Sequence, residues 1–239
     1  MGHRSQLRAN HLLRLLPSSE LARVERSAVI ETFAPGDVTS ARGDGASVRF
    51  PLTGVFALLA WERDGGGVFM AMVGCEGAVG VNESLGSPQL ALDRMCVVGG
   101  TAARLPVPDF IRLLEASARL DRYVMRYLAL REAVIAQMVV CSRFHPLSSR
   151  LARLLLAAHI RTGGRPLLIT HDRLALLVGA SRPKLSAGLD GFRQAGLIDT
   201  RPGEIEFLDT AGLRREACYC YELVRQTYAA ITRLDAAPG

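Results

Sequence analysis

The chain has 239 residues, of which 29 are basic and 23 acidic for a net charge of +6, and 49% of it is hydrophobic against 22% charged. That balance belongs to a globular protein with room for one large or two modest cores and excludes a disordered or fibrous chain. No apolar run approaches the roughly 18 residues that a membrane-spanning helix needs, and the opening MGHRSQLRAN lacks the apolar segment of a secretion signal.

A cytoplasmic protein is therefore expected, with its five cysteines, Cys75, Cys96, Cys141, Cys218 and Cys220, reduced. The positive surplus suits a polyanionic partner, but Lys184 is the single lysine among the basic residues. So strong an arginine bias reads as genome composition before it reads as phosphate recognition.

Residues 11–30 read as a short helical opening anchored by Leu12, Leu13, Leu15, Leu16 and Leu21. From about 31 to 107 the texture changes to short β-like runs, ETF, SVRFPL, GVFALLAW, GVFMAMVG, LDRMCVV and ARLPV. Turn signals separate them at Pro35-Gly36-Asp37, Gly43-Asp44-Gly45 and Asp64-Gly65-Gly66-Gly67. Many short strands at this spacing predict an antiparallel barrel or roll.

At Pro108-Asp109 the period switches to helical, and no proline or glycine follows until after Arg143. Leu113, Leu120, Tyr127, Val134 and Cys141 recur every seven residues, with Val124 and Met138 on the flank. A helix of about 34 residues is about 50 Å long, more than one small domain covers, so the stripe predicts a dimer seam. A long core helix of a single domain is the competing account.

Phe144-His145-Pro146 ends this helix, because the residue before proline is pushed out of α geometry. That break predicts a hinge, which divides the chain into 1–108, a strand-rich unit, 109–145, the helix and hinge, and 146–239, a helical unit. Leu151, Leu154, Leu155 and Ala158 form the next helix, closed at Thr162-Gly163-Gly164.

Residues 169–198, ITHDRLALLVGASRPKLSAGLDGFRQAGLI, carry the strongest signal. Thr170 caps a short helix with Leu174, Leu177 and Val178 inward, and Gly179 sits at the turn, where a residue without Cβ accepts left-handed backbone. Ser181 caps a second helix with Pro183 in its first turn, where a missing N–H costs no helical bond. Leu185, Leu189 and Phe192 face inward, leaving Arg182, Lys184, Ser186 and Ala187 outward. This is a helix-turn-helix, whose second helix enters a DNA major groove. GLIDTRPGEIEFLD, residues 196–209, adds two strands around Arg201-Pro202-Gly203, making it winged. A plain αα-hairpin is the alternative. From 144 onward thirteen basic residues face nine acidic ones, so the surplus leans toward this end. Leu213, Ala217, Tyr221, Val224, Tyr228 and Ile231 then read as one further amphipathic helix strapped to its own domain.

In order and spacing, FHPLSSRLARLLL, ITHDRLALLVGASRPKLS and the wing resemble the reading domain of the Crp/Fnr family of transcription regulators. The long helix is similar too. APGD at 34–37, RFPLTGVFALL at 49–59 and GCEGAVGVNESLG at 74–86 resemble, more loosely, the family's cyclic-nucleotide-type β-roll. The resemblance implies an α+β protein: an N-terminal antiparallel β-roll, a long dimerisation helix and a C-terminal winged helix-turn-helix. It implies a homodimer on double-stranded DNA with a two-fold site, and RNA polymerase as a further partner for an activator. Arg182 and Ser186 are the expected base contacts, and Thr170, His171, Ser181, Lys184 and Arg201 the expected phosphate contacts. Leu113, Leu120, Val124, Tyr127, Val134, Met138 and Cys141 are the expected dimer interface.

The family's nucleotide-binding members carry a glycine-rich loop with a glutamate and a downstream arginine. Here Gly77 and Gly80 mark such a loop, but Val81 stands in the glutamate's place, and Arg94 needs a register shift to point inward. The expectation is a roll whose cyclic-nucleotide site, at Gly77, Gly80, Val81 and Arg94, has been lost or has changed ligand. A cyclic-nucleotide-responsive regulator with an atypical pocket is one alternative, and a protein-interaction adaptor that does not bind DNA is another.

No cofactor is expected beyond an effector of unassigned identity. The family's iron–sulfur branch needs an N-terminal cysteine cluster, and no cysteine precedes Cys75. No metal is expected either. Two residues apart on one helix, Cys218 and Cys220 point about 200° away from each other, which makes them packing residues. No P-loop, GxSxG, HExxH or paired carboxylates occur, so no enzyme is expected.

Overall fold

A computed structural model describes residues 3–39, 47–63, 66–86 and 92–231. The predicted turn at Gly43-Asp44-Gly45, the Asp64-Gly65 half of the next turn, Pro88–Ala91 and the residues after 231 lie outside the described residues.

Three short helices open the chain, α1 (His3–Leu7), α2 (His11–Arg14) and α3 (Ser18–Ser27). Asn10 fixes them to the strand-rich part of the chain. Its side-chain oxygen accepts from Leu12 N and Leu13 N to cap α2, while its buried amide donates to Pro51 O at 3.0 Å and Gly77 O at 2.8 Å.

Seven strands come next: β1 (Val29–Phe33), β2 (Val38–Thr39), β3 (Ser47–Pro51), β4 (Val55–Trp61), β5 (Gly67–Val73), β6 (Asp93–Val98) and β7 (Gly100–Pro106), with the short helix α4 (Val81–Ser84) before β6. They form two antiparallel sheets, ordered β1-β7-β3 and β2-β6-β4-β5, which is the expected roll. Gly54, in the turn between β3 and β4, packs tightly on the β6–β7 junction, since a Cβ there would lie 2.5 Å from Val98 O. β4 shows why its sequence reads as an unbroken apolar run. Phe56 and Leu58 point into the roll with Phe33 and Val73, whereas Val55, Ala57 and Leu59 face outward into a second core shared with the C-terminal helices. A strand covered on both faces has no polar side to alternate with.

The helical part begins with α5 (Val107–Ala116) and α6 (Ala118–Phe144). The single helix expected over this stretch is two, because Ser117 leaves helical backbone at φ −141°, ψ 92° and its Oγ accepts from Leu120 N at 3.0 Å. A serine hydroxyl that bonds the third N–H ahead competes with the helix it interrupts. Helix α6 keeps 27 residues, about 40 Å.

The predicted dimer seam is a correction as well. Leu120, Val124, Tyr127, Val134, Met138 and Cys141 are all buried inside this one chain, and Leu113 is partly buried among the N-terminal helices. The stripe packs α6 on the roll and on the C-terminal helix, so a second copy cannot reach it. The opposite face stands open, with Met125 43%, Val139 60% and Phe144 73% exposed and Ala129 and Ala136 between them.

His145 is extended and Pro146 starts α7 (Leu147–Thr162), so the expected break is present. Then come β8 (Leu167–Leu168), α8 (His171–Val178), α9 (Arg182–Gln194), β9 (Ile198–Arg201), β10 (Glu204–Phe207), α10 (Thr210–Glu216) and α11 (Cys220–Ile231). The expected hairpin gains a third strand, since β8 pairs with β10 beside β9. The last predicted helix is two, parted where Ala217 takes ψ 143°. Helix α11 straps its own domain only in part, where Tyr221 joins the core on α7. It lies along α6, and its Val224 and Tyr228 pack with the roll cluster of Phe33, Phe56 and Val134.

Candidate nucleic-acid interface

Helix α7 underlies the reading unit, with Leu151, Leu154, Leu155 and Ala158 meeting Leu174, Leu177, Val178, Leu185, Leu189 and Phe192 in one buried core. Thr170 Oγ1 accepts from Arg173 N at 3.4 Å to cap α8. Gly179 takes φ +67°, the left-handed backbone that lets Ala180 N return to Ala175 O at 3.0 Å. Ser181 N-caps α9 through its backbone alone, and Pro183 occupies the first turn. The burial of Leu185 and Leu189 turns Ser181, Arg182, Pro183, Lys184 and Ala187 to solvent.

The expected contacts gather on this surface. Arg182 Nη1 lies 3.5 Å from Asp172 Oδ1, with both side chains about two-thirds exposed. Ser186 Oγ lies 3.4 Å from His171 Nδ1 one helix away. An exposed ion pair is worth at most about 1 kcal/mol, so Asp172 orients the guanidinium without holding it against a better partner. Sequence reasoning missed Asp172, although its place in the first turn of α8 was visible. Lys184 sits to one side, in a cleft with Arg150, Leu147 and Gly67. Arg201 marks the wing turn, 65% exposed and 3.7 Å from Glu206. Arg173 faces the other way, donating to Pro35 O at 3.3 Å and tying α8 to the roll. His159 is a structural histidine, its ring 4.5 Å from that of Phe207.

At the expected effector site the described residues are closely packed. Val81 is fully buried, and a Cβ on Gly77 would lie 2.3 Å from the Tyr127 ring. Tyr127 Oη donates to Ala78 O at 2.9 Å, so the aromatic side chain fills the space behind the loop. Arg94 does reach inward and is buried, but Glu83 pairs with it at 3.2 Å. That internal carboxylate offsets the Arg94 charge, so an incoming phosphate would meet a guanidinium already paired. A cavity of about 630 Å³ lies elsewhere, between Thr53, Cys75 and Glu76 of the roll, Arg153 and Arg161 of α7, and Tyr228 of α11.

The reading of Cys218 and Cys220 as packing residues on one helix is overturned. They flank the break between α10 and α11, and their sulfurs meet Cys141 and His145 at the C-terminal end of α6. Cys141 Sγ is 3.6 Å from Cys218 Sγ, and Cys220 Sγ is 3.4 Å from His145 Nδ1. The Cys218 thiol donating to it, with Arg153 nearby, holds Cys141 well below the ordinary thiol range. The other two thiols differ: burial pushes Cys96 up to about 12 and raises Cys75, so both are protonated and inert.

Residues 149–216 match the Crp-like helix-turn-helix domain family. The chain carries a Crp-like reading domain. The fold of the described residues is similar to that of solved Crp/Fnr-type regulators. A protein from Eubacterium rectale, described as a transcriptional regulator of that family, shares 17% identity, with 85% of this chain and 96% of that chain covered at TM-score 0.69. The c-di-GMP responsive global regulator CLP of Xanthomonas campestris gives 16% identity, 80% and 99% coverage and TM-score 0.64. A CRP family transcriptional regulator from Thermus thermophilus gives 21% identity, 78% and 96% coverage and TM-score 0.62. At these identities the likeness is one of fold. No curated protein matches the chain in sequence. Among the described residues no helix is long and apolar enough to cross a membrane.

Proposed function

We propose that this chain is a sequence-specific DNA-binding transcription regulator that acts as a homodimer in the cytoplasm. The observation that carries the reading is the N-terminal face of α9 on a Crp-like domain, with Arg182 exposed beside Asp172 and Ser186 one turn on, within 3.4 Å of His171 Nδ1. Arg182 is assigned to a guanine edge, which a guanidinium bonds at O6 and N7 together, and Ser186 to a neighbouring base. Thr170, His171, Ser181, Lys184 and Arg201 surround them as phosphate contacts that set register.

The dimer surface assigned is the open face of α6. Met125, Glu132 and Val139 recur at seven, as do Ala129, Ala136 and Arg143, so a second seam lies opposite the buried one. A two-fold dimer places its α9 helices about one turn of DNA apart, roughly 34 Å. An effector, where one acts, is assigned to the cavity between the roll, α7 and α11, and RNA polymerase is the further partner of an activator. The roll, α6 and the Crp-like domain serve as sensing, pairing and reading units.

Selection from a random duplex pool, followed by anisotropy titrations at two salt concentrations, tests this. A regulator yields an enriched palindrome whose affinity falls steeply with salt. No enrichment, with weak binding independent of salt, would support an adaptor instead.

A further inference from the structure

Three of the chain's five cysteines and one of its five histidines converge on one point, from segments about 75 residues apart in sequence. Their four ligand atoms, Cys141 Sγ, His145 Nδ1, Cys218 Sγ and Cys220 Sγ, all lie within 4.8 Å of one another. Around a tetrahedral Zn²⁺, with bonds of about 2.3 Å to sulfur and 2.0–2.1 Å to nitrogen, neighbouring ligands stand about 3.7 Å apart for two sulfurs and about 3.5 Å for sulfur and nitrogen. The chain shows 3.6 Å for the first and 3.4 Å for the second.

The local backbone explains the arrangement. Cys141 lies in the last turn of α6, and His145, which caps that helix, returns its N–H to Cys141 O at 3.2 Å, which keeps the two close. Extended Ala217 and the start of α11 at Cys220 let Cys218 and Cys220 turn to the same side. The surroundings fit a bound ion as well. Gln137 Nε2 donates to Cys220 Sγ at 3.0 Å, the Tyr219 ring stands edge-on to His145 at 5.0 Å, and Met138 and Val224 pack against the sulfurs. Buried Arg153 is close by, and its Nε has no hydrogen-bond partner among the described residues. A cation there offsets the single negative charge that three thiolates and a divalent ion leave behind.

We propose that Cys141, His145, Cys218 and Cys220 form a closed tetrahedral site for one zinc-like divalent ion. On binding, each thiol gives its proton to solvent and its sulfur to the metal, with no change of oxidation state. All four positions are filled by protein, so the ion is structural and not catalytic. It joins the end of α6, at the His145-Pro146 hinge, to the joint between α10 and α11. The metal therefore fixes how the reading domain stands on the pairing helix. That consequence rests on the regulator reading; the site itself does not.

The test uses the full chain purified under reducing conditions. Metal analysis is expected to give one zinc per chain, and Co²⁺ exchange a tetrahedral ligand-field spectrum with thiolate charge-transfer bands. Cys218→Ser, at the half-buried position, should lose at least ten-fold in metal affinity with native circular dichroism, while Cys75→Ser keeps full occupancy as the control. Chelation should lower the melting temperature of the parent chain but not of Cys218→Ser. A folded chain that takes up no Co²⁺, or whose Cys141 and Cys218 are recovered as a disulfide without metal, overturns the proposal. Metal binding with no effect on affinity for any duplex leaves the site standing and removes only the DNA-linked role.

Discussion

Replacing Glu76 with glutamine probes the clasp that joins the roll to the reading domain. Glu76 is buried, and its Oε1 accepts from Arg161 Nη2 of α7 at 2.7 Å and from Gly74 N at 3.1 Å. Arg161 also donates to Ala157 O at 3.0 Å and lies 5.0 Å over the Tyr228 ring. The two side chains are 9% and 15% exposed, so solvent screens the pair little.

Glutamine keeps an acceptor for Gly74 but leaves the guanidinium without its counter-charge. Breaking such a pair costs about 3–5 kcal/mol, and the retained neutral bond returns about 1 kcal/mol. The expected loss in Glu76→Gln is therefore about 2–4 kcal/mol, read from urea unfolding at neutral pH. Burial acts to raise the Glu76 carboxyl, but the Arg161 charge outweighs it and holds the group below its usual range. A depressed carboxylate stabilises the fold above its unfolded value and loses that contribution as pH falls through the folded one, so the deficit of Glu76→Gln should shrink in acid. Glu76→Leu with Arg161→Met should be milder than either single change. A single variant within about 0.5 kcal/mol of the parent, or a deficit that grows in acid, would refute the reasoning.

Arg182→Ala should cost about 1–3 kcal/mol on the selected duplex and relax preference at one base pair, while Lys184→Ala weakens all duplexes alike; equal loss on cognate and scrambled DNA for Arg182→Ala would remove it from base reading. Val139→Asp, on the open face of α6, should sediment as a folded monomer, whereas Leu120→Asp, 1% exposed, should fail to fold. A dimeric Val139→Asp puts the seam elsewhere. Gly179→Ala should cost about 1–2 kcal/mol from backbone alone, because the added Cβ meets only Arg150 Nη1 at an ordinary 3.7 Å; calorimetry showing no change would contradict the left-handed turn. Tyr127→Phe should lose about 1–2 kcal/mol in urea, since the buried carbonyl of Ala78 is left without its donor.

The strands were legible because glycine and proline turn signals punctuate them, and the helix-turn-helix because each of its helices has one buried face with a clear period. Other features depend on choices the sequence leaves open. Helix α6 has two seven-residue stripes, one around Tyr127 and one around Val139, and only tertiary packing decides which the chain covers itself. Ser117 passes as an ordinary helix residue until its hydroxyl is seen capping Leu120. The angle argument against Cys218 and Cys220 was sound for a continuous helix, but extended Ala217 ends that helix one residue before Cys218. The i, i+4 pair of Cys141 and His145 was the signal available, and it lay hidden within an apolar heptad. The pairing of Arg94 with Glu83 depends on α4, a four-residue helix too short to show a period in the sequence.

The position of α11 has a consequence for how the chain is made. Val224 and Tyr228 complete a cluster whose other members, among them Phe33, Phe56 and Val134, are synthesised far earlier. The roll and α6 therefore leave the ribosome before Val224 and Tyr228 of α11 can pack against this apolar cluster. Units that close only through distant contacts fold slowly and stay exposed to misassociation while they wait. The roll thus reaches its finished form only after the C-terminal helices have been made, and the two parts of the chain mature as one.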